Sequence, residues 1–431
     1  MLQTLRNAWK IEDLRKKLLY TLLIVVIFRV GSAIPVPFLD SEALKALAAS
    51  LSGDGSLFGY LNMLTGDSFS KATLFALSIT PYINASIIVQ LLTVVFPVLQ
   101  RWAKDEGEEG RRKINRVNRG VTIGLALMMA IGYYFTLRNG NVVKVTDGFF
   151  GWFAAITIIT AFVAGSSVIV WLGELINKGG IGNGISILLF AGIVSRLPAA
   201  ATMLWAYFTS DNIVYKILVP VVIVLAVVVI GFIVVMTDGE RRISVQYAKR
   251  VVGRKQYGGQ SSYIPIKVNM SGVMPIIFAS SIVSLPGIPV SFFNIKEGFW
   301  ANFVSIFNYN SAVYAVVYFL LIIFFNYFYV SIQYNPVEIA NNLRKNNGAI
   351  PGYRPGQPTS DYITKVLSKI ILIGAFFLGI VAVFPIAFQG ITKMNIALGG
   401  TTVLIVVGVA LEIVKNLESQ MMMRHYKGFL E

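Results

Sequence analysis

Ten apolar runs, each about long enough to cross a bilayer, constrain this chain more than any other feature. A helical span needs ~17–25 mostly apolar residues, and runs of that kind fall near 18–34, 72–99, 121–137, 149–172, 185–205, 217–236, 273–290, 312–332, 366–388 and 398–414. They predict an all-α polytopic membrane protein with ten transmembrane helices. The charged residues agree, because they collect between the runs. Twenty-eight of the 37 Lys and Arg residues lie on the N-terminal arm, the even-numbered connections and the tail. The opposite face carries eight: Lys45, Lys71, Arg138, Lys144, Arg196, Lys216, Lys296 and Lys393. Arg29 falls inside the first run. The bias of basic residues makes the crowded face cytoplasmic, with both termini on it.

Ten spans divide into five and five near residues 209–215. Five is odd, so two similarly folded halves must insert with opposite orientation. A repeated nonapeptide supports the division. Pro81-Tyr82-Ile83-Asn84-Ala85-Ser86-Ile87-Ile88-Val89 matches Pro275-Ile276-Ile277-Phe278-Ala279-Ser280-Ser281-Ile282-Val283 at six of nine positions, in the second run of each half. Pro inside a membrane helix frees backbone groups that neighbours must satisfy. The paired prolines are therefore expected to break the second and seventh spans beside a path between inverted repeats. The expected organisation is an amphipathic cytoplasmic arm at 1–17, a first half at 18–208, a second half at 209–415 with cytoplasmic loops 238–272 and 333–365, and a cytoplasmic tail at 416–431.

Absent residues exclude several chemistries. Cysteine is missing and the single histidine, His425, lies in the polar tail. There is thus no thiolate metal site, no Cys nucleophile and no His for a Ser–His pair within the spans. The sequence has neither a phosphate-binding loop nor a zinc-protease motif, and no cofactor is expected. Residues 1–17 are basic and amphipathic, unlike a cleavable signal. Asp and Glu avoid span centres, whereas an ion-coupled carrier usually keeps an ionisable group there. Arg29 is the one candidate, and backbone pairing or snorkelling accounts for it.

Two features exceed what simple spanning needs. The short apolar piece 57–66, bracketed by glycines, fits either a surface helical turn or a re-entrant half-helix lining a cavity. The loops 238–272 and 333–365 carry Gly and Pro turn signals among Tyr, Arg and Lys, suited to anionic headgroups or to an acidic or RNA partner. In the second span, helical spacing puts Ile79, Ile83, Ser86 or Ile87, and Gln90 on one side, with Asn84 beside them. Ile277, Ser280 or Ser281, and Ser284 do the same in the seventh. Interhelical hydrogen bonding and a seam that opens both fit this mixture.

Several stretches, in order along essentially the whole chain, resemble the SecY family, central subunits of the bacterial Sec protein-translocation channel. They are Phe28-Arg29-Val30-Gly31 with Ile34-Pro35, Thr80-Pro81-Tyr82-Ile83 with Gln90-Leu91-Leu92-Thr93, Gly107-Glu108-Glu109-Gly110-Arg111-Arg112-Lys113, Gly182-Asn183-Gly184-Ile185-Ser186, Lys267-Val268-Asn269-Met270-Ser271-Gly272-Val273-Met274-Pro275, Asn335-Pro336 with Asn342-Leu343, and Arg354-Pro355-Gly356. The resemblance implies a clamshell of two inverted five-helix halves with an hourglass path between them. It implies a waist ring of Ile79, Ile83, Ile185, Leu189, Ile277 and Ile405, and a lateral gate between spans two and seven contacted by Asn84, Gln90, Phe278 and Ser281. It makes 55–66 a re-entrant plug carrying Leu57, Phe58, Tyr60, Leu61 and Leu64. It implies that the loops dock a SecA-type ATPase motor or the ribosome through Arg354, then Arg250, Arg254 and Lys255. Other implied partners are SecE- and SecG-type small membrane subunits, signal sequences, unfolded polypeptide substrates and the lipid bilayer. Leu189 stands where isoleucine is common, and Asn84 where a smaller serine occurs. The implied function is a pore for unfolded secretory proteins in the bacterial cytoplasmic membrane, without enzymatic activity of its own. An inverted-repeat secondary transporter is the rival reading, and an intramembrane enzyme a third.

Overall fold

The structure, a computed structural model, describes residues 2–51, 65–247, 250–252, 255–257, 261–284, 311–392 and 400–427. A helix overlaps each of the ten apolar runs. In chain order they are α1 (Leu2–Lys10), α2 (Glu12–Gly31), α3 (Ser41–Leu51), α4 (Thr80–Val95), α5 (Pro97–Lys104), α6 (Gly107–Asn139), α7 (Gly148–Gly179), α8 (Gly184–Val194), α9 (Leu197–Thr209) and α10 (Ile213–Asp238). After a small sheet come α11 (Met274–Ser284), α12 (Ala312–Gln333), α13 (Pro336–Lys345), α14 (Gln357–Thr392) and α15 (Gly400–Lys427). Among the described residues, six helical stretches are long and apolar enough to cross a membrane, and the bent pair α4–α5 makes a seventh. The chain is a multi-pass membrane protein.

Helix ends follow local chemistry. Asn183, Asn212, Ser311 and Asn335 each cap a helix, their side-chain oxygens accepting from first-turn backbone N–H groups. Phe96 is extended, as residues before proline prefer, and the chain turns by 104° between α4 and α5. The fifth run, expected as one span, is one membrane-length stretch, Gly184–Thr209, with a short turn at Ser195–Arg196 between α8 and α9 and Pro198 in the first turn of α9. The last helix continues through the polar tail to Lys427.

Two expectations are corrected. The second span does not start at residue 72. Residues 66–79 make successive turns with left-handed backbone at Asp67, Ala72 and Ser78. Neighbours satisfy this segment: Val36 N–H donates to Ala72 O, Leu74 N–H to Ile34 O, and Ser166 Oγ to Ser78 O at 3.3 Å. Nor do the paired prolines break helices. Pro81 and Pro275 are each the second residue of their helix, where the missing N–H would have had no intrahelical partner. The repeat therefore marks two helix starts in the same register.

The two long loops fold together, which the helical pattern did not foretell. β1 (Glu240–Tyr247) pairs antiparallel with β4 (Ser261–Lys267), placing Ile243 opposite Ile264. It also pairs with β5 (Gly348–Ala349) from the second loop, giving the order β4-β1-β5. Ile243 and Val245 alternate inward onto Val330, Leu343, Ile363 and Leu367. A separate hairpin joins β2 (Arg250–Val252) to β3 (Lys255–Tyr257).

Two of the cores lie along the seam between the halves. One is built on second-half residues such as Phe278, Phe325, Phe377 and Leu404, and includes Ile87 of α4. The other is built on first-half residues such as Phe28, Ile169 and Leu188, and includes Ile405 and Val409 of α15. Each half thus lends side chains to the other. The termini meet too: Thr4 Oγ1 donates to Glu418 at 3.1 Å, and Ala8 and Leu14 pack on Leu417.

Candidate functional site: the seam between the halves

Glycine contacts set the position of α8. Gly184 lies so close to Gly173 of α7 that a Cβ would stand 2.0 Å from the Gly173 carbonyl oxygen. Ile185 fills the space beside Gly173, where a Cβ would meet its Cδ1 at 2.7 Å. Ile79, at the N-terminal boundary of α4, is fully buried. It joins Leu189 of α8 and Ile405 of α15 in the first-half core, with Ile83 and Ile185 packed against them. Ile277 of α11 packs instead on the second-half core, and Ile83 packs there as well. The six expected ring residues therefore occupy two adjoining cores, and Ile83 touches both. Ile83 and Ile277 are equivalent positions of the repeat, and both are half-buried.

Sequence reasoning missed Val273. It too packs against both cores, one helical turn before Ile277, whose N–H donates to its carbonyl at 3.2 Å. The usable signal was its place just ahead of the second nonapeptide. Val273 also lines a half-open cavity of about 330 Å³ with Leu404 and Val409. The polar part of this cavity comes from Ser186, Lys267, Asn269, Glu412 and Lys415. Lys415 pairs with Asp238 at 2.5 Å, and Asn269 Oδ1 is buried without a hydrogen-bond partner among the described residues. The cavity lies beside the ring at the end of α10 and β4 where Lys and Arg are concentrated. The cavity lining thus combines polar and charged side chains with aliphatic ones next to the ring.

The four expected gate residues divide. Phe278 is buried, edge-on to Phe325 at 5.7 Å and to Tyr329 at 6.2 Å, and so anchors α11 on α12. Ser281, Gln90 and Asn84 are half-buried. Asn84 Oδ1 is enclosed with no hydrogen-bond partner among the described residues, a cost of ~1–3 kcal/mol for an acceptor shut away from water. A buried network holds the base of α11: Ser271 Oγ donates to Asn326 Oδ1, while Asn326 Nδ2 donates to Ile371 O at 2.9 Å.

Arg354 stands exposed on a turn shaped by left-handed Gly352 and Gly356. Its carbonyl accepts from Thr359 Oγ1 at 2.8 Å, and Tyr353 stacks on Tyr362 at 4.2 Å, so the side chain is free to point outward. On the neighbouring strand, Arg242 lies over Tyr263 and pairs with Glu240, whose hydrogen bond holds the guanidinium pKa above its ordinary value. Arg250 and Lys255 lie on the β2–β3 hairpin; Arg254 falls outside the described residues, as do the plug residues Leu57, Phe58, Tyr60, Leu61 and Leu64. Arg29, near the end of α2, is half-buried, and its Nη1 is enclosed with no hydrogen-bond partner among the described residues. Among those residues no cluster of His, Asp and Glu is placed to hold a metal ion.

Comparison with known proteins follows the same lines. The SecY family profile matches residues 73–414. The protein translocase subunit SecY of Streptomyces coelicolor is 42% identical over 443 residues, covering all of both chains. That of Thermotoga maritima is 41% identical, covering all of this chain and 98% of its own. Among solved structures, a protein-conducting channel superposes with a TM-score of 0.67 at 18% identity, covering 94% of this chain and 92% of that one. Sec61 in the canine ribosome–channel complex gives 0.63 at 18% identity, with the same coverage.

Proposed function

Because this chain belongs to the SecY family of protein translocase subunits, we propose that the seam between its halves is the path of the translocated polypeptide. The chain is the channel-forming subunit of a protein translocase. Ile79, Ile83, Ile185, Leu189, Ile277 and Ile405 form the waist. A collar of aliphatic side chains excludes water and ions by dewetting, and makes no sequence-specific hydrogen bonds. It therefore admits unfolded chains of any sequence. The cavity lined by Val273 and Leu404 receives the chain from the basic, cytoplasmic side of a bacterial plasma membrane.

α4 and α11 form the lateral gate. Asn84, Gln90 and Ser281 are the groups a signal helix meets, and Phe278 is the hinge-side anchor of α11. The signal helix partitions into lipid at about 0.8 kcal/mol per buried CH₂. Energy comes from a partner, a SecA-type ATPase or a ribosome, docked on Arg354 and the β2–β3 hairpin. Small subunits of the SecE and SecG type complete the complex, and the chain itself catalyses no reaction. The sheet that unites both loops supports this docking role, since it makes one platform of two connections.

The observation that carries the reading is that Ile83 packs against both cores. The chain has no cysteine of its own, so a single introduced thiol reports cleanly. A stalled secretory chain should crosslink to Ile83→Cys and not to Val228→Cys, which faces outward from α10. Equal crosslinking at the two positions would defeat the assignment of the path.

A further inference from the structure

A charged cluster lies outside the ring, at the start of the turn-rich segment that leads into it. Arg196, between α8 and α9, donates to Asp67 at 3.1 Å, with side chains only 19% and 30% exposed. Arg29, in the last turn of α2, lies within electrostatic reach of the same carboxylate. One carboxylate thus ties the turn-rich segment to the α8–α9 junction and feels the charge of a second guanidinium on α2.

The backbone there is unusual. Gly66 and Asp67 both adopt left-handed φ, 64° and 69°. Gly66 presses on α8, where a Cβ would stand 2.6 Å from the Gly192 carbonyl oxygen. From Asp67 the chain turns repeatedly, with Phe69 stacked on Tyr133 at 4.3 Å, before delivering Ile79 fully buried at the waist. No regular helix links these two points; contacts at Ala72, Leu74 and Ser78 hold the middle of the segment, and Asp67 anchors its first turn.

We infer that Asp67 is a positioning residue whose ion pair with Arg196 anchors the start of the segment carrying Ile79, and so helps set how strictly the channel refuses chains with weak signals. This rests on the channel reading. Neutralising Asp67 removes the counter-charge of Arg196 and Arg29 together and frees the first turn of the segment from the α8–α9 junction. Neutralising Arg196 leaves Asp67 still opposed by Arg29 and does less.

The test measures export of one secretory precursor with its full signal and with a signal of shortened apolar core. The full chain, with its native partners, is the only translocase present. Asp67→Asn keeps a residue that tolerates left-handed backbone. It should raise the ratio of short-signal to full-signal export by about fivefold, the upper range for a partly exposed ion pair. Arg196→Gln should raise it less, Arg196→Lys should return it close to the unsubstituted value, and Asp67→Asn with Arg196→Gln should not exceed Asp67→Asn alone. An unchanged ratio at normal abundance, or single effects that multiply in the double variant, would overturn the inference. A fall in abundance shared by every variant, Arg196→Lys included, would make the cluster purely structural and overturn it too. Failure of the unsubstituted chain to export the full-signal precursor would instead defeat the channel reading itself.

Discussion

Replacing Ile405 by Ala tests the seal where its energetics are simplest. Ile405 belongs to the last helix, yet it is 3% exposed within the core built on first-half residues. The change removes three carbon atoms from that contact, worth ~2.4 kcal/mol at about 0.8 kcal/mol per CH₂. If the ring is the seal, this burial exists only while the halves are together. The closed state then loses ~2.4 kcal/mol relative to the parted one, a shift of about 60-fold in the resting ratio. Ile158→Ala is the matched control. Ile158 is also fully buried, but in a core made only of first-half residues, so its loss is shared by closed and parted states. The assay is ion conductance of the channel complex in a planar bilayer, alongside its melting temperature in detergent. Ile405→Ala should raise conductance strongly, whereas Ile158→Ala should lower melting alone. Equal conductance in the two variants, or lowered melting without conductance in Ile405→Ala, would refute the argument.

Two further outcomes follow from the geometry. Arg354→Glu should reduce secretion severalfold while the abundance of the protein in membranes stays normal, because the side chain is exposed and only its carbonyl holds the turn; immunoblotting against a secretion assay separates the two. Gly165→Ala should destabilise the first half by ~1–3 kcal/mol, since a Cβ would stand 1.9 Å from the Leu74 carbonyl oxygen; Gly231→Ala on α10, with nothing within 4 Å, should leave melting unchanged or raise it slightly.

Much of the architecture was legible before any coordinates. Ten apolar runs with basic connections left a bilayer-spanning helical chain as the plain solution, because lipid demands internal hydrogen bonding over a fixed thickness. The repeat at Pro81 and Pro275 correctly pointed to a matched pair of helices. Its prolines were misread because a proline in the first turn and one in the interior look alike in a string of letters; only the backbone around Ser78 and Ile79 distinguishes them. Likewise, the alternation at Ile243 and Val245 is too short to announce a strand among so many charges, and its partner β5 lies a hundred residues onward.

Apolarity along the chain therefore determined that the protein spans a membrane, since hydrophobic length is a local property that each run carries by itself. Which aliphatic residues meet across the seam was decided only in three dimensions. Ile83 and Val273 look no different from dozens of other branched residues, and what sets them apart is that two cores, distant in sequence, close on the same side chains. The pairing of Asp67 with Arg196 belongs to the same class. An ion pair between unconnected elements depends on where the backbone brings them, and no spacing of residues records that.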